Sequence, residues 1–175
     1  MENCLEGAMS KYESISQNDF KNGMRKLAAA VNVITVEYQG SRDGLTATAA
    51  CSVSASPPQL LICVNSEAQG HTLIRESKSF VLNIMARNQE DIAVRFAGMD
   101  STERSQRFDI GSWSKLITGS PCLDGALVNF DCEVVNEIVA GTHSIFIGHI
   151  VGSRTSDDNV SPLIYGEGQF TSLTE

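Results

Sequence analysis

Positive charge is scarce in this chain. Thirteen Lys and Arg stand against 21 Asp and Glu, a formal net charge of -8. Such a field repels polyanions, so nucleic acid and anionic membrane are disfavoured as partners. One local basic pocket for a phosphate remains compatible with it. Long apolar runs are also missing, and nothing approaches the ~20 residues that a membrane span needs. The first ten residues hold two Glu and no Lys or Arg. No apolar run follows them, so they lack the pattern of a secretory signal, and the expectation is a cytoplasmic protein.

Paired cysteines are absent as well. The five, Cys4, Cys51, Cys63, Cys122 and Cys132, form no C-x-x-C pair. Free thiols are expected, with Cys51, Cys63 and Cys132 as small core residues. The three histidines show no ligand spacing to them, so no metal site is expected. There is no G-x-G-x-x-G, no P-loop and no G-x-S-x-G, and no Ser/His/Asp set stands out. What remains is ordinary: 175 residues, 42% hydrophobic and 19% charged, enough for one globular domain with a sizeable core.

The most informative stretch is Gly44 to Ser54, small, uncharged and rich in hydroxyls. Read as one strand, it puts Thr46, Thr48, Ala50, Ser52 and Ser54 on one face, and Leu45, Ala47, Ala49, Cys51 and Val53 on the other. The first face is either a half-exposed strand surface or a place where a flat ligand lies close to the backbone with hydroxyls at its polar edge.

Around it the chain reads as a polar arm, residues 1–18, and one domain, residues 19–175. Asp19 is a candidate cap for a helix ending near Ala30, with Phe20, Met24 and Leu27 on its apolar face. Strands are expected at Val31 to Val36, Gln59 to Val64, Phe80 to Ile84, Ala126 to Ile138, Ser144 to Val151 and Pro162 to Phe170. The loop Asn65 to Thr72 is crowded with donors and precedes a short helix over Thr72 to Glu76. It suits either an anion or simple capping. Asn88 is the expected cap of a further helix carrying Ile92, Ala93 and Phe96, stopped by Gly98. Asp100 to Gly119 reads as a long irregular connection. Strands in this number without regular βαβ alternation predict a mainly β fold, a closed antiparallel barrel with a few short helices.

The order of motifs resembles the flavin reductase-like family, whose fold is a flavin-binding split β-barrel. The matching pieces are Phe20 to Leu27, Gly44 to Ser54, Pro57-Pro58, Cys63-Val64-Asn65, Arg95-Phe96-Ala97-Gly98, Arg107-Phe108, Gly119-Ser120-Pro121, Gly141-Thr142-His143 and Pro162 to Tyr165. They cover nearly the whole chain. The Thr-Ala-Thr-Ala run with Gly-Thr-His is most similar to reductase components of the 4-hydroxyphenylacetate 3-monooxygenase type. Many relatives have Gly-Asp-His there, so this chain keeps the histidine and loses a neighbouring carboxylate. The resemblance implies an NAD(P)H:flavin oxidoreductase, a homodimer with FMN or FAD near the subunit interface. NADH or NADPH reduces the flavin, which then passes to an oxygenase component of a two-component monooxygenase, with aromatic hydroxylation the implied reaction.

Site roles follow from the same resemblance. Ala47, Ala49 and Cys51 would lie near the flavin ring. Backbone and hydroxyl groups of Thr46, Thr48 and Ser52 would meet its polar edge. Asn65, Ser66 and Thr72 would hold its phosphate, and His143 would sit by the nicotinamide. Phe96 is either a helix core residue or a flavin contact. Tyr165 either lines the nicotinamide side or packs at the barrel rim. Two other readings remain open: a protein that holds its flavin tightly and passes electrons on, and a non-enzymatic flavin-binding dimer.

Overall fold

A computed structural model describes residues 12–157 and 159–173. In chain order the elements are α1 (Gln17–Met24), β1 (Ala29–Ala30), β2 (Asn32–Tyr38), β3 (Ser41–Ala47), β4 (Ala50–Ala55) and β5 (Pro58–Asn65). Then come α2 (Gln69–Ser77), β6 (Ser79–Ile84), α3 (Glu90–Phe96), β7 (Trp113–Lys115) and β8 (Pro121–Leu123). Two long strands, β9 (Val128–Ala140) and β10 (His143–Thr155), precede the hairpin β11 (Leu163–Gly166) and β12 (Gln169–Ser172).

Strand β2 shows how the core is built. Its β-branched run favours a strand, and alternation sends successive side chains to opposite faces. Ile34 and Val36 enter one apolar cluster with Ile62, Val64, Ile74, Phe80 and Phe146. Val31 and Val33 enter another with Met85, Phe96, Phe108 and Leu123. Each such side chain contributes about 1.5–3 kcal/mol on burial. Thr35 also faces the second side and satisfies its hydroxyl on the Pro121 carbonyl at 2.5 Å.

The main sheet has seven strands in the order β3-β2-β6-β9-β10-β5-β4, with every named pairing antiparallel. The expected closure does not occur among the described residues. β3 and β4 are the two outer strands, and the chain passes from one to the other through Thr48 and Ala49 alone. The stretch read as one strand, Gly44 to Ser54, is therefore two edge strands flanking a seam. Its supposed single alternation is broken at residues 48–49. This is a split barrel, mainly β with short helices.

Other boundaries moved for local reasons. Ser16 Oγ accepts the Asp19 backbone N–H at 3.1 Å, so α1 begins at Gln17, inside the expected arm, and Asp19 sits in its first turn. The helix stops at Met24, just past Gly23, and Ala29–Ala30 instead pair with β11. α2 starts at Gln69 rather than Thr72, and Asn88 lies in a 3-10 turn, Arg87–Gln89, ahead of α3. Residues 100–119 hold a 3-10 helix, Arg104–Asp109, and β7. The last expected strand is the hairpin β11–β12, folded at Glu167-Gly168.

On β9 the polar Asn129 and Asp131 are buried. The segment around β7 and β8 covers them. Asp131 accepts the N–H groups of Ile117 and Thr118 and the Thr118 hydroxyl. Cys132 and Cys122 are buried, Cys63 half-buried and Cys51 exposed. Cys51 therefore departs from its expected core place, because β4 is an edge strand; Cys4 lies outside the described residues.

Candidate functional site at the barrel seam

A cleft of about 420 Å³ lies beside the seam, within the range of small-molecule sites. Its floor is the run Thr46, Ala47, Thr48 and Ala49, with Cys63 alongside. One wall carries Asn65 and His143, another Tyr165 and Phe170. The register explains the first wall, since His143 opens β10 directly opposite Asn65 at the end of β5. Small side chains over strands that lack an outer partner leave backbone donors and acceptors accessible.

Seven of the twelve residues expected from sequence meet here: Thr46, Ala47, Thr48, Ala49, Asn65, His143 and Tyr165. Their polar atoms differ in availability. The Thr46 hydroxyl donates to the Ala93 carbonyl at 2.6 Å, tying the floor to α3. Asn65 Oδ1 accepts the Glu67 N–H at 2.9 Å, leaving the amide NH₂ to face a ligand. His143 Nδ1 lies 2.9 Å from the Thr142 hydroxyl. When that hydroxyl donates, Nε2 carries the proton and becomes a donor.

The other five stand elsewhere. Cys51 and Ser52 are exposed on β4 and line a separate groove with Ala50 and Ser54. Ser66 spends its hydroxyl on the Thr142 carbonyl at 3.1 Å, which ties the loop after β5 to the β9–β10 turn. Thr72 is exposed within α2, past its first turn. Phe96 is fully buried and packs edge-on against Phe108, with ring centroids 5.0 Å apart, so of its two readings the core one holds. Its ring lies so close to Gly44 that a Cβ there would come within 2.6 Å of it.

Sequence reasoning missed Met99, Ala97, Phe170, Leu45 and Val31 as lining residues. Ala97 lies within the Arg95-Phe96-Ala97-Gly98 piece, but Phe170 is brought in by the β11–β12 hairpin, where it packs edge-on against Tyr165 with ring centroids 5.1 Å apart.

Two polar clusters brace the site. His71 of α2 is buried, its Nε2 2.8 Å from Ser144 Oγ, which in turn donates to Glu137 at 3.0 Å. Ser144 follows His143, so this chain pins the strand that presents the histidine. Burial pushes the His71 imidazole below its ordinary value, and Glu137 offsets part of that. On the far side Asp43 is buried and pairs with Arg104 at 3.1 Å, while Arg107 donates to the Gly44 carbonyl at 2.9 Å. Burial and the neighbouring Arg104 lower the Arg107 pKa.

An antiparallel barrel left open at one seam, with a floor of small residues and accessible edge-strand backbone, defines a binder of a flat, hydrogen-bonding cofactor. The chain belongs to the flavin reductase like domain family, whose model matches residues 24–174. The FMN reductase (NADH) RutF of Pantoea ananatis is 39% identical over 148 residues, 85% of this chain and 77% of that protein. BorF, the flavin reductase component of a bacterial two-component tryptophan halogenase, superposes with a TM-score of 0.83 at 31% identity, over 91% of this chain and 99% of that one. The NADH:FAD oxidoreductase SgcE6 of Streptomyces globisporus C-1027, solved with NAD and FAD fragments, gives 0.82 at 26% identity, over 93% and 98%. These relatives bear other names than the 4-hydroxyphenylacetate reductase type; membership of the family is what they share with the sequence reading.

Proposed function

We propose that this protein is an NADH-dependent flavin reductase that uses FMN and delivers it, reduced, to an oxygenase component. The observation that carries the reading is the seam cleft, in which Ala47, Thr48 and Ala49 make a floor thin enough for a planar ring to rest on backbone. Bound flavin would supply the chemistry, accepting a hydride from the nicotinamide. The chain's own part is positional. Edge-strand backbone and the Thr48 hydroxyl would meet the polar rim of the ring, and the Asn65 amide would donate to it. His143 would donate from Nε2 to the nicotinamide, aligning it without moving a proton. Ser66 and Thr72 would act on a phosphate outside the cleft, and Cys51 and Ser52 would act from the opposite side of the seam. Tyr165, set against Phe170, would close the nicotinamide side.

The NADH and FMN assignment draws on the RutF relatives, delivery to a separate component on BorF, which serves a two-component halogenase, and the oxygenase as that component on the family resemblance. A homodimer is part of the same proposal, and exposed Val53 on β4 and Val135, Ile138 and Val139 on β9 are apolar side chains that a second copy would cover. No described helix is long and apolar enough to cross a membrane, and free thiols suit the cytoplasm. Steady-state NADH oxidation with excess free FMN, FAD or neither is the test. Multiple turnovers that depend on added flavin, fastest with FMN, are expected. A protein that retains its flavin through gel filtration and ignores added FMN would instead be an electron carrier. One without NADH oxidation under any condition would not be a reductase.

A further inference from the structure

The seam cleft continues into a second one. A hollow of about 380 Å³ shares Thr48, Ala49 and Tyr165 with it. Its far wall is α1 and the turn after it. Phe20, Met24 and Leu27, the expected core face of that helix, are instead 57%, 48% and 61% exposed and look into this hollow. Lys21 and Arg25, four residues apart and so on one side of the helix, line it too. Neither has an ion-pair partner among the described residues, whereas Lys26 beside them pairs with Glu167 at 2.9 Å.

The first cleft offers the opposite chemistry, for no Lys or Arg lines it. The loop expected to take a phosphate brings an exposed carboxylate, Glu67, and has already spent Ser66 Oγ and Asn65 Oδ1 on backbone. In a chain of net charge -8, two unpaired cations beside an apolar aromatic wall are complementary to a ligand with an anionic middle and a flat apolar end. An adenosine diphosphate group has that form. NADH and FAD both carry one, joined to the ring that the seam cleft fits.

We propose that the hollow between α1 and the seam seats the adenosine diphosphate half of a dinucleotide, the diphosphate on Lys21 and Arg25 and the adenine against Phe20, Met24 and Leu27. The assignment of the ring end rests on the flavin-reductase reading; the hollow itself can be tested without it.

The test uses the full chain, as wild type and as the Lys21→Gln/Arg25→Gln and Phe20→Ala variants, in calorimetric titrations with ADP, NAD⁺, FAD, FMN and riboflavin. α1 buries no side chain, so the variants should keep the wild-type circular dichroism. The charge variant should bind ADP, and either NAD⁺ or FAD, roughly 10- to 100-fold more weakly, since a hydrogen bond to a charged group is worth about a factor of ten or more. Riboflavin should bind all three proteins alike. Phe20→Ala should weaken the same adenine-bearing ligands. Loss for NAD⁺ alone assigns the hollow to the electron donor, and loss for FAD alone to the flavin. Equal affinities for ADP, NAD⁺ and FAD in wild type and variants would overturn the proposal. So would a loss for FMN as large as for FAD, which would place the ribityl phosphate on the cations. Unchanged affinities together with slower sedimentation would overturn it as well, by making the hollow a contact between copies. A wild type that binds ADP through Lys21 and Arg25 yet oxidises no NADH would sink the reductase reading and leave the subsite standing.

Discussion

His143 and the two floor alanines carry the sharpest expectations at the level of single residues. His143→Ala removes one donor at the wall while leaving the floor intact. It should lower kcat/KM for NADH about 5- to 150-fold, the worth of one hydrogen bond of about 1–3 kcal/mol, with FMN affinity near normal. Stopped-flow reduction of bound flavin across NADH concentrations measures this, and an unchanged rate throughout would return His143 to a surface role. Ala49→Leu puts a branched side chain where the ring would rest, on an exposed residue at the seam. FMN should bind at least about tenfold more weakly, by fluorescence quenching, while circular dichroism stays native, because no core packing is disturbed. The run of small residues was legible in the sequence as a pattern, whereas His143 entered only through the family resemblance. What could not be read was which hydroxyls are free. Thr46 looks as available as Thr48 on paper, yet the fold spends Thr46 on the Ala93 carbonyl.

At the scale of elements, β8 is held to the sheet by side-chain hydrogen bonds from Thr35, Asn83, Asn129 and Arg154 rather than by strand pairing, with Asn83 at their centre. Asn83 Nδ2 donates to the Val33 carbonyl at 2.8 Å, and its Oδ1 accepts from Leu123 N and Asn129 Nδ2, both at 2.8 Å. Asn83→Ala leaves those buried donors short of an acceptor at about 1–3 kcal/mol each. It should lower the urea midpoint clearly; a midpoint within error of wild type would show that water replaces the amide. Strand positions were largely legible because β-branched and apolar runs stand out between polar turns. Strand burial was not. Nothing in the alternation of Asn129 and Asp131 tells that they are buried, and only the distant segment around β7 and β8, with weak patterning of its own, covers that face. Likewise the apolar spacing marks a helix at Phe20 and Met24, though Leu27 falls in the turn beyond its end, and it does not tell whether the chain itself covers that face.

For the whole molecule, His71 sets a pH dependence. Its imidazole is neutral and buried, with a pKa below the ordinary 6.5, so the unfolded chain binds the extra proton first as pH falls. Stability from this group is therefore complete above the ordinary value and is lost as pH drops through it. Between about pH 7.5 and 5.5, the range where histidine titrates, wild type should lose more stability than His71→Gln, by thermal melts at each pH. Parallel curves would mean that Glu137 and Arg75, which face the ring's neighbourhood, cancel the effect of burial. The strand pattern alone gave a closed, mainly antiparallel barrel, and the split came from the family resemblance. That the barrel stays open depends on how β3 and β4 end up on opposite edges, which is a property of the assembled sheet and not of either strand.

The two-residue bridge across that opening sets a limit on motion. From Ala47 to Ala50 the chain takes three Cα steps of about 3.8 Å, so these edges can never part by more than roughly 11 Å. At this end the seam is tethered by a short cord. A planar guest resting on Ala47 to Ala49 therefore cannot be freed by parting the strand ends directly beneath it, and the side chains of His143, Met99 and Tyr165, which line the same cleft, stand around it as a fixed frame.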